Sequence, residues 1–401
     1  MPAYIQKTLL LMLLSCFFST GSKATDEMPV IAYQGVPDWS TSDEHFQTFS
    51  ECGFTVSLYA YPSLDLLVKA CRIADKYGVK VLGKCPEMFN EPANAAKILK
   101  QEKGFFGYFI QDEPSVPEIR LREKEIEQLK RVDNTHPFYI NLYPYYHDNW
   151  VEPTLKVKTY PEYLKAAAAT SCQQLSFDYY PITTAGIRPT WYHNLEMIRR
   201  ESNRAGKPFW GFVLSVPHDV PYTPDTFYPT PTMGSLRLQV YSNLAYGAQA
   251  IQYFTYWTPK PINFKYHDAP IGLDGKKTKT YNLVQQMNKE LKQVAKLFLG
   301  AKILSVHHLG NIPQGTLRQA TMPDNIRKLK ITGRHGAIVS QLEKDGARYL
   351  AIVNKNHQGK LKVRIKPRNS VPRHLTKSLE EEQMKSSYTI NAGDILLFKL
   401  K

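Results

Sequence analysis

Short apolar segments alternate with longer amphipathic segments over residues 29–300, and this alternation limits the fold more than any other feature. A strand-length apolar run, a helix-length stretch and a turn recur, which is typical of β/α units around a parallel sheet. Glycines such as Gly78 and Gly206 stand where helices are expected to end. The eight predicted strands are residues 29–36, 54–61, 79–85, 105–111, 138–143, 174–180, 208–215 and 250–257.

Eight strands with following helices over roughly 270 residues have the size and rhythm of an α/β-class (β/α)8 TIM barrel. The alternative is a doubly wound open sheet, which more often has fewer strands. No glycine-rich phosphate loop follows the first strand, so the pattern disfavours a nucleotide-binding domain. The clearest predicted helices are residues 63–77, 117–132, 190–205, 236–246 and 281–299.

The pattern changes after Gly300, where short strands are separated by turn residues. This spacing predicts a small antiparallel β-sandwich. We expect a catalytic barrel over residues 25–300 and a C-terminal β-sandwich domain over residues 301–401 that packs against it. The strands predicted in the second domain are residues 301–307, 328–332, 337–342, 349–354, 360–366 and 395–400.

The N-terminus has the features of a secretory signal peptide over residues 1–24. Lys7 precedes an apolar run over residues 8–19, which is too short to read as a membrane span, and Ala24 fits a small-residue cleavage site. The segment ending at Cys16 also resembles a bacterial lipobox, which would make Cys16 a lipid anchor. Both alternatives predict a secreted, cell-surface or periplasmic protein.

Composition adds weaker indications. Aromatic residues make up 12% of the chain and include 25 Tyr, a content that suits sugar binding but also ordinary packing at the margin of a core. The net charge of +15 most simply reflects a solvated basic surface, with a polyanionic polysaccharide as the second reading. No nucleic-acid-binding motif is present, so no nucleic-acid partner is expected. Beyond Cys16, the cysteines are expected to be buried free thiols rather than a disulfide or metal site.

The strongest chemical signal is the sequence Asp112-Glu113-Pro114 at the end of the fourth strand. In this fold, active sites lie at the carboxyl ends of the strands. Two adjacent carboxylates at such a mouth destabilise each other, so one is expected to have a raised pKa. A carboxylic acid of this kind is what protonation of a glycosidic oxygen requires. The alternative is that Asp112 caps the next helix and Glu113 is solvated.

Other strand ends supply further candidates. Asp178 stands in an otherwise apolar sixth strand, where it is either a second catalytic carboxylate, a substrate acceptor or a structural partner of a buried group. Glu87 and His218 follow the third and seventh strands, and each is either a substrate ligand or simply exposed. Trp257 is either a sugar platform or core. The remaining substrate-binding candidates are Tyr33, Gln34, Asn141, Tyr143 and Tyr180.

The sequence contains no His, Cys and carboxylate cluster with metal-ligand spacing and no G-x-S-x-G nucleophile elbow. We therefore expect no cofactor, and neither metal-dependent hydrolysis nor serine esterase chemistry is supported.

With these residues in hand, the barrel resembles that of bacterial polysaccharide-degrading glycoside hydrolases. Residues 236–257 are similar to the last helix and strand of family 42-like β-galactosidases. In the related clan of retaining barrels the fourth strand ends in Asn-Glu-Pro, so the resemblance gives Glu113 the acid/base role. That clan has a nucleophilic Glu after the seventh strand, whereas this chain has His218 and Asp219. Double displacement would then need Asp178 or Asp219 as the nucleophile.

The acidic pair also resembles that of substrate-assisted N-acetylhexosaminidases with Asp-Glu-Pro at this place. That resemblance implies that Glu113 is the acid/base and that Asp112 orients the 2-acetamido group of the substrate, which acts as the nucleophile. It further implies that Tyr143 or Tyr180 hydrogen-bonds the acetamide and that Trp257 forms a wall of the pocket. This route needs no carboxylate after the seventh strand.

Taken together, the sequence predicts a glycoside hydrolase that acts on an oligosaccharide or polysaccharide, with Glu113 as general acid/base. The alternative is a non-catalytic glycan-binding surface protein on a degenerate glycosidase barrel. The intact Asp112-Glu113 pair favours the enzyme, and the missing Glu after the seventh strand favours the alternative.

Overall fold

A computed structural model describes residues 27–220, 226–262, 264–333 and 335–400. The predicted signal peptide, with Cys16 and Ala24, lies outside these residues. Eight parallel strands close into a barrel in the order β1-β8-β7-β6-β5-β4-β3-β2, which confirms the predicted fold. The strands are β1 Val30–Tyr33, β2 Val56–Ala60, β3 Lys80–Lys84, β4 Phe105–Asp112, β5 Phe138–Leu142, β6 Leu175–Phe177, β7 Phe209–Leu214 and β8 Ala250–Phe254.

Helices surround the barrel and bury their apolar faces against the outward side chains of the strands. All five helices predicted most clearly are present, with bounds that differ by a few residues at most. The helices are α1 Asp43–Glu51, α2 Leu64–Lys76, α3 Glu87–Asn90, α4 Pro92–Leu99, α5 Val116–Lys130, α6 Asp148–Leu155, α7 Tyr160–Ala168, α8 Trp191–Ala205, α9 Met233–Tyr246 and α10 Lys279–Phe298.

The inward side chains of the barrel form layers, because alternate residues of a strand face the same side. The lower layers are apolar and aromatic and include Ile31, Leu58, Phe109 and Trp210. Above them, the inward residues become polar toward the carboxyl ends of the strands. The barrel interior is therefore a packed core whose upper end supports a polar mouth.

A β-bulge in β4 decides which side chains of that strand enter the mouth. Phe109 pairs with Tyr139, but Gln111 pairs with Ile140 and Asp112 with Asn141, so one extra residue is accommodated. Without the bulge, Gln111 would continue the inward face of Phe109. With it, Asp112 takes that position, beside the inward Asn141.

Residues beyond α10 form two antiparallel sheets, in the orders β9-β11-β12-β17-β14-β15 and β10-β13-β16. This confirms the predicted antiparallel arrangement, although β14, β15 and β16 were not predicted. The six-stranded sheet packs on α9, where Ser340 Oγ donates to the Ala245 carbonyl at 2.8 Å. The strands are β9 Lys302–Leu309, β10 Ile326–Thr332, β11 Ala337–Lys344, β12 Ala347–Asn354, β13 Leu361–Pro367, β14 Arg373–Leu375, β15 Glu381–Glu382, β16 Ser387–Ile390 and β17 Ile395–Lys399.

The four cysteines of the described chain, Cys52, Cys71, Cys85 and Cys172, are buried free thiols, as expected. None of the described helices combines the length and the apolar character that crossing a membrane requires. Within the described ranges, His, Cys, Asp and Glu do not gather in groups of three that could hold a metal ion.

Candidate active site

Three carboxyl groups meet at the carboxyl ends of neighbouring strands, with one amide between two of them. Asn141, on β5, donates from Nδ2 to Asp112 Oδ1 at 3.0 Å and to Asp178 Oδ1 at 3.1 Å. The Tyr33 hydroxyl, at the end of β1, donates to the other oxygen of Asp112 at 2.9 Å. Glu113 forms a hydrogen bond with Asp178. The closed barrel thus brings together residues that are far apart in sequence.

A buried polar network fixes the orientation of Asn141. Tyr139 OH donates to Gln252 Oε1 at 2.8 Å, and Gln252 Nε2 donates to Ser176 Oγ at 2.8 Å. Ser176 Oγ in turn donates to Asn141 Oδ1 at 2.9 Å. Because Oδ1 is the acceptor in this chain of bonds, the amide nitrogen must face the two aspartates. Donation to both carboxylates favours their charged forms.

The backbone at Glu113 is held in an uncommon conformation. Glu113 has φ +47°, in the left-handed region that non-glycine residues rarely adopt. Its amide donates to the Asn141 carbonyl at 2.8 Å. The Tyr163 hydroxyl, from α7, donates to the Pro114 carbonyl at 2.9 Å and accepts from the Tyr143 amide at 3.1 Å. Such strain persists where the surroundings impose it, and it is common at functional sites.

The helix after the acidic pair does not use Asp112 as its cap. Ser115 is the N-cap residue of α5, and its amide donates to Glu118 Oε2 at 2.7 Å in a capping box. The carboxylate of Asp112 is open to solvent at the mouth, although protein surrounds its other sides. The side chain is therefore accessible to a ligand from above and held in position from below.

Burial raises the pKa of all three carboxyl groups, and neighbouring carboxylates raise the pKa of Glu113 and of Asp178 further. Burial, followed by the charges of Asp178 and Asp112, raises the pKa of Glu113 to about 10. Burial and the charge of Asp112 raise the pKa of Asp178 to about 7. Burial raises the pKa of Asp112 as well, against the hydrogen bonds from Asn141 and Tyr33. At neutral pH, Glu113 therefore carries a proton beside groups that ionise more easily.

The aromatic candidates Tyr143 and Tyr180 lie beside these carboxyl groups. Burial and the charges of Glu113 and Asp112 raise the pKa of Tyr143 to about 12. Burial and the charge of Asp178 raise the pKa of Tyr180, whose ring stacks on Phe254 with 5.4 Å between centroids. Both phenols are therefore neutral hydrogen-bonding groups near the acidic cluster.

Other candidates stand apart from the acidic cluster. His218 is 6% exposed, donates from Nδ1 to the Val216 carbonyl at 3.0 Å, and has its pKa lowered to about 4 by burial. Trp257 is 4% exposed and packs edge-on against His45, with 5.1 Å between ring centroids. Gln34 has φ +47°, and its carbonyl accepts from the Trp257 amide at 2.9 Å.

Glu87 begins α3, where a backbone hydrogen bond with Leu64 contributes to lowering its pKa although burial acts in the opposite direction.

None of the described residues after β7 adds a fourth carboxyl group to the cluster. Ser215 Oγ donates to the Thr255 carbonyl at 2.7 Å, and Asp219 accepts from the Lys265 amide at 2.8 Å. The site thus draws its carboxyl groups from β4 and the residue after β6.

Several residues at the mouth were not among the sequence candidates. Lys84 donates to the Ile110 carbonyl at 2.9 Å, and its charge favours the ionised form of Asp112. Phe254 lies 5.8 Å from the Tyr33 ring centroid. Both residues stand two positions after a buried inward residue of the same strand. The alternation of side chains along a strand could therefore have predicted that they face the mouth of the barrel. Trp39, after β1, is 58% exposed and has the Lys260 ammonium 4.9 Å from its ring.

A (β/α)8 barrel with carboxyl groups gathered at this end has the architecture of the barrel glycoside hydrolases. The family model for β-galactosidases of glycoside hydrolase family 42 matches residues 118–294, from α5 to α10. Over these residues the chain is similar to family 42 glycoside hydrolases, which agrees with the resemblance of residues 236–257. The match begins just after Asp112 and Glu113, so it does not cover the acidic pair.

Solved β-galactosidase structures share the fold at low sequence identity. The enzyme from Bacillus circulans sp. alkalophilus is 11% identical with a TM-score of 0.62, over 93% of this chain and 99% of the other. A catalytic mutant of Gan42B, a family 42 enzyme from G. stearothermophilus, is 8% identical with a TM-score of 0.60, over 94% and 98%. The enzyme from the psychrophilic Marinomonas ef1 is 9% identical with a TM-score of 0.53, over 93% and 100%. No curated protein sequence matches the chain.

Proposed function

We propose that this chain hydrolyses glycosidic bonds of an oligosaccharide or polysaccharide, with Glu113 as the general acid/base. The observation that carries the proposal is the raised pKa of Glu113, to about 10, at a barrel mouth where Asp112 and Asp178 are more acidic. A carboxyl group that keeps its proton at neutral pH can give it to a leaving oxygen.

The chemistry proceeds in two steps. Glu113 donates its proton to the glycosidic oxygen while the bond from the anomeric carbon to that oxygen breaks, and its electron pair stays with the leaving oxygen. In the second step the Glu113 carboxylate removes a proton from water as the water oxygen attacks the anomeric carbon. The bond that the nucleophile of the first step formed to that carbon then breaks, and its electron pair returns to the nucleophile. Acid–base assistance of this kind contributes about 10²–10⁴-fold.

The nucleophile of the first step is proposed to be the 2-acetamido carbonyl oxygen of the substrate, with Asp112 accepting from the acetamide N–H. Asp112 is accessible and held by Tyr33 and Asn141, as an orienting group requires. Asp178 is a poor candidate for nucleophile, because it hydrogen-bonds to Glu113, whereas the carboxyl groups of retaining glycosidases stand about 5–5.5 Å apart. Tyr143 and Tyr180 are proposed to bond the sugar.

A digestion panel tests the proposed reaction. We expect the mature protein to cleave at least one member of a panel of neutral, 2-acetamido and acidic oligosaccharides, with products identified by mass spectrometry. The Glu113→Gln variant serves as the blank for contaminating glycosidases. Binding of a glycan without turnover by either protein, under conditions where both are folded, would instead support the glycan-binding alternative. The lack of a Glu after the seventh strand in the sequence favours that alternative.

Asp178 is proposed to keep Glu113 protonated. Its negative charge raises the pKa of Glu113, so Asp178→Asn should lower that pKa. The acid form of Glu113 is then lost at lower pH, and we expect the basic limb of the kcat/KM profile to move down by about one pH unit or more. Asp65→Asn, an exposed change in the first turn of α2, is the matched control. An unmoved basic limb in Asp178→Asn would refute this role.

Export is also proposed, since residues 1–24 have the pattern of a signal peptide and a polysaccharide substrate lies outside the cell. The mass of the mature N-terminus distinguishes cleavage after Ala24 from a lipid anchor on Cys16.

A further inference from the structure

A cavity of about 620 Å³ opens between the barrel and the C-terminal sheets. One wall is the hairpin of Ile182–Thr183 and Gly186–Ile187, which follows β6. The other wall comprises the loops after β9 and β12, with residues 311–314 and 355–358. Its volume is that of a small-molecule or sugar site.

Apart from the Tyr192 phenol, the titratable side chains that line this cavity are basic. They are Arg188, His335, Lys355 and His357, and within the described chain no aspartate or glutamate lines it. Arg188 is a permanent cation here, and burial lowers the pKa of Lys355 and of His357, so a bound anion would favour their charged forms. A solvated basic surface would instead place such charges on convex, exposed positions.

Lys355 is the most unusual member of this set, because it is only 3% exposed. Its ammonium donates to the Asn311 carbonyl, lies 3.2 Å from His308 Nδ1 and faces the Tyr192 ring at 5.7 Å. Among the described residues, no carboxylate forms an ion pair with it within 4.0 Å, and burial alone acts on its pKa. Burial makes the charged form of Lys355 costly and lowers its pKa to about 7, and an anion in the cavity would restore the charged form.

The cavity adjoins the acidic cluster through Arg188. Its guanidinium lies 5.4 Å from the Tyr146 ring centroid and 5.5 Å from the Tyr228 ring centroid. Burial raises the pKa of both phenols, and the charge of Asp178 adds to this effect. Tyr146 and Tyr228 therefore stand close to both Asp178 and Arg188. Asp178 and Arg188 also belong to one segment, on either side of the hairpin.

We infer that this cavity is a subsite for an anionic sugar residue of the substrate, with a carboxylate or a sulfate ester bound by Arg188, Lys355 and His357. The inference rests on the proposed glycosidase function and deepens it, since it makes the substrate an acidic glycan. Arg188 offers the planar pair of donors that matches either anion. A bound anion would favour the charged form of Lys355 behind it, whose pKa burial lowers to about 7.

Binding to an inactive enzyme tests the inference without depending on catalysis. The Glu113→Gln variant is applied to a glycan array that carries neutral, uronic-acid and sulfated oligosaccharides. We expect the hits to include anionic glycans. Each is then titrated beside its carboxyl-reduced or desulfated form, which should bind about tenfold more weakly because a charged contact is lost. Whichever of the two treatments weakens binding identifies the anion as a carboxylate or a sulfate.

Adding Arg188→Gln or His357→Gln to the inactive variant should remove most of that preference and leave the affinity for the neutral form within about twofold. Lys328→Gln, an exposed change on β10, is the matched control and should change neither affinity. The inference is overturned if no anionic glycan is among the hits, or if the preference survives both substitutions. If one of these two results is found and the wild type still hydrolyses neutral glycans, the anionic subsite is overturned. The proposed glycosidase function then remains supported.

Discussion

Replacing Glu113 with glutamine should reduce kcat/KM for a natural glycoside by about 10²–10⁴-fold, while a 2,4-dinitrophenyl glycoside of the same sugar loses far less. Glutamine keeps the shape of the side chain but has no proton to give. A sugar alkoxide is a poor leaving group without protonation, whereas dinitrophenolate leaves readily as the anion. Because kcat/KM reports the step up to bond cleavage, the contrast between leaving groups isolates the acid role.

The control for this comparison is Glu44→Gln, an exposed change in the first turn of α1, which should leave both substrates unaffected. Equal losses on the two substrates would contradict the acid role, because a positioning defect does not depend on the leaving group. An unchanged kcat/KM for the natural glycoside would contradict any role of Glu113 in bond cleavage.

Folding of the variant is checked by its melting temperature. The folded-state pKa of Glu113, about 10, lies above its ordinary value of 4.5, so this group favours folding less as pH rises between those values. Glutamine has no such dependence. The Glu113→Gln variant should therefore melt no lower than the wild type at pH 8, and a loss of activity there cannot be explained by unfolding.

The barrel was predictable because its signal is repeated. Eight apolar runs, separated by amphipathic segments that end at glycines, each carry weak information, but only a closed parallel barrel satisfies all of them. The strand-end rule then located Asp112, Glu113, Asn141 and Asp178 without coordinates. These four residues are in the acidic cluster because β4, β5 and β6 are neighbours in the barrel.

The direction of the side chains was less predictable. Gln111, rather than Asp112, would face inward in a regular β4, and the bulge that reverses this leaves no clear mark in the sequence. Trp257 shows the same limit, since its place after β8 predicted a mouth position whereas its ring is buried against His45. The basic cavity depends on how loops after β6, β9 and β12 pack, which no local pattern encodes.

Asp112→Asn tests the second large effect, which is the assistance of the substrate's own acetamide. We expect kcat/KM for a 2-acetamido glycoside to fall by about 10²-fold or more, because asparagine cannot accept the acetamide proton with a full negative charge. The hydrogen bonds from Tyr33 and Asn141 would remain to position the residue.

Changing the acetamide group of the substrate distinguishes substrate assistance from double displacement. Stepwise fluorination of the substrate's N-acetyl group withdraws electrons from the carbonyl oxygen, so the wild-type rate should fall steeply along the series. In Asp112→Asn, where the acetamide is no longer oriented for attack, the rate should depend much less on fluorination. Conversely, a 2-deoxy-2-fluoro glycoside that adds its sugar mass to Asp112 or Asp178 would show that a protein carboxylate is the nucleophile. That result would replace substrate assistance with double displacement and leave Glu113 as the acid.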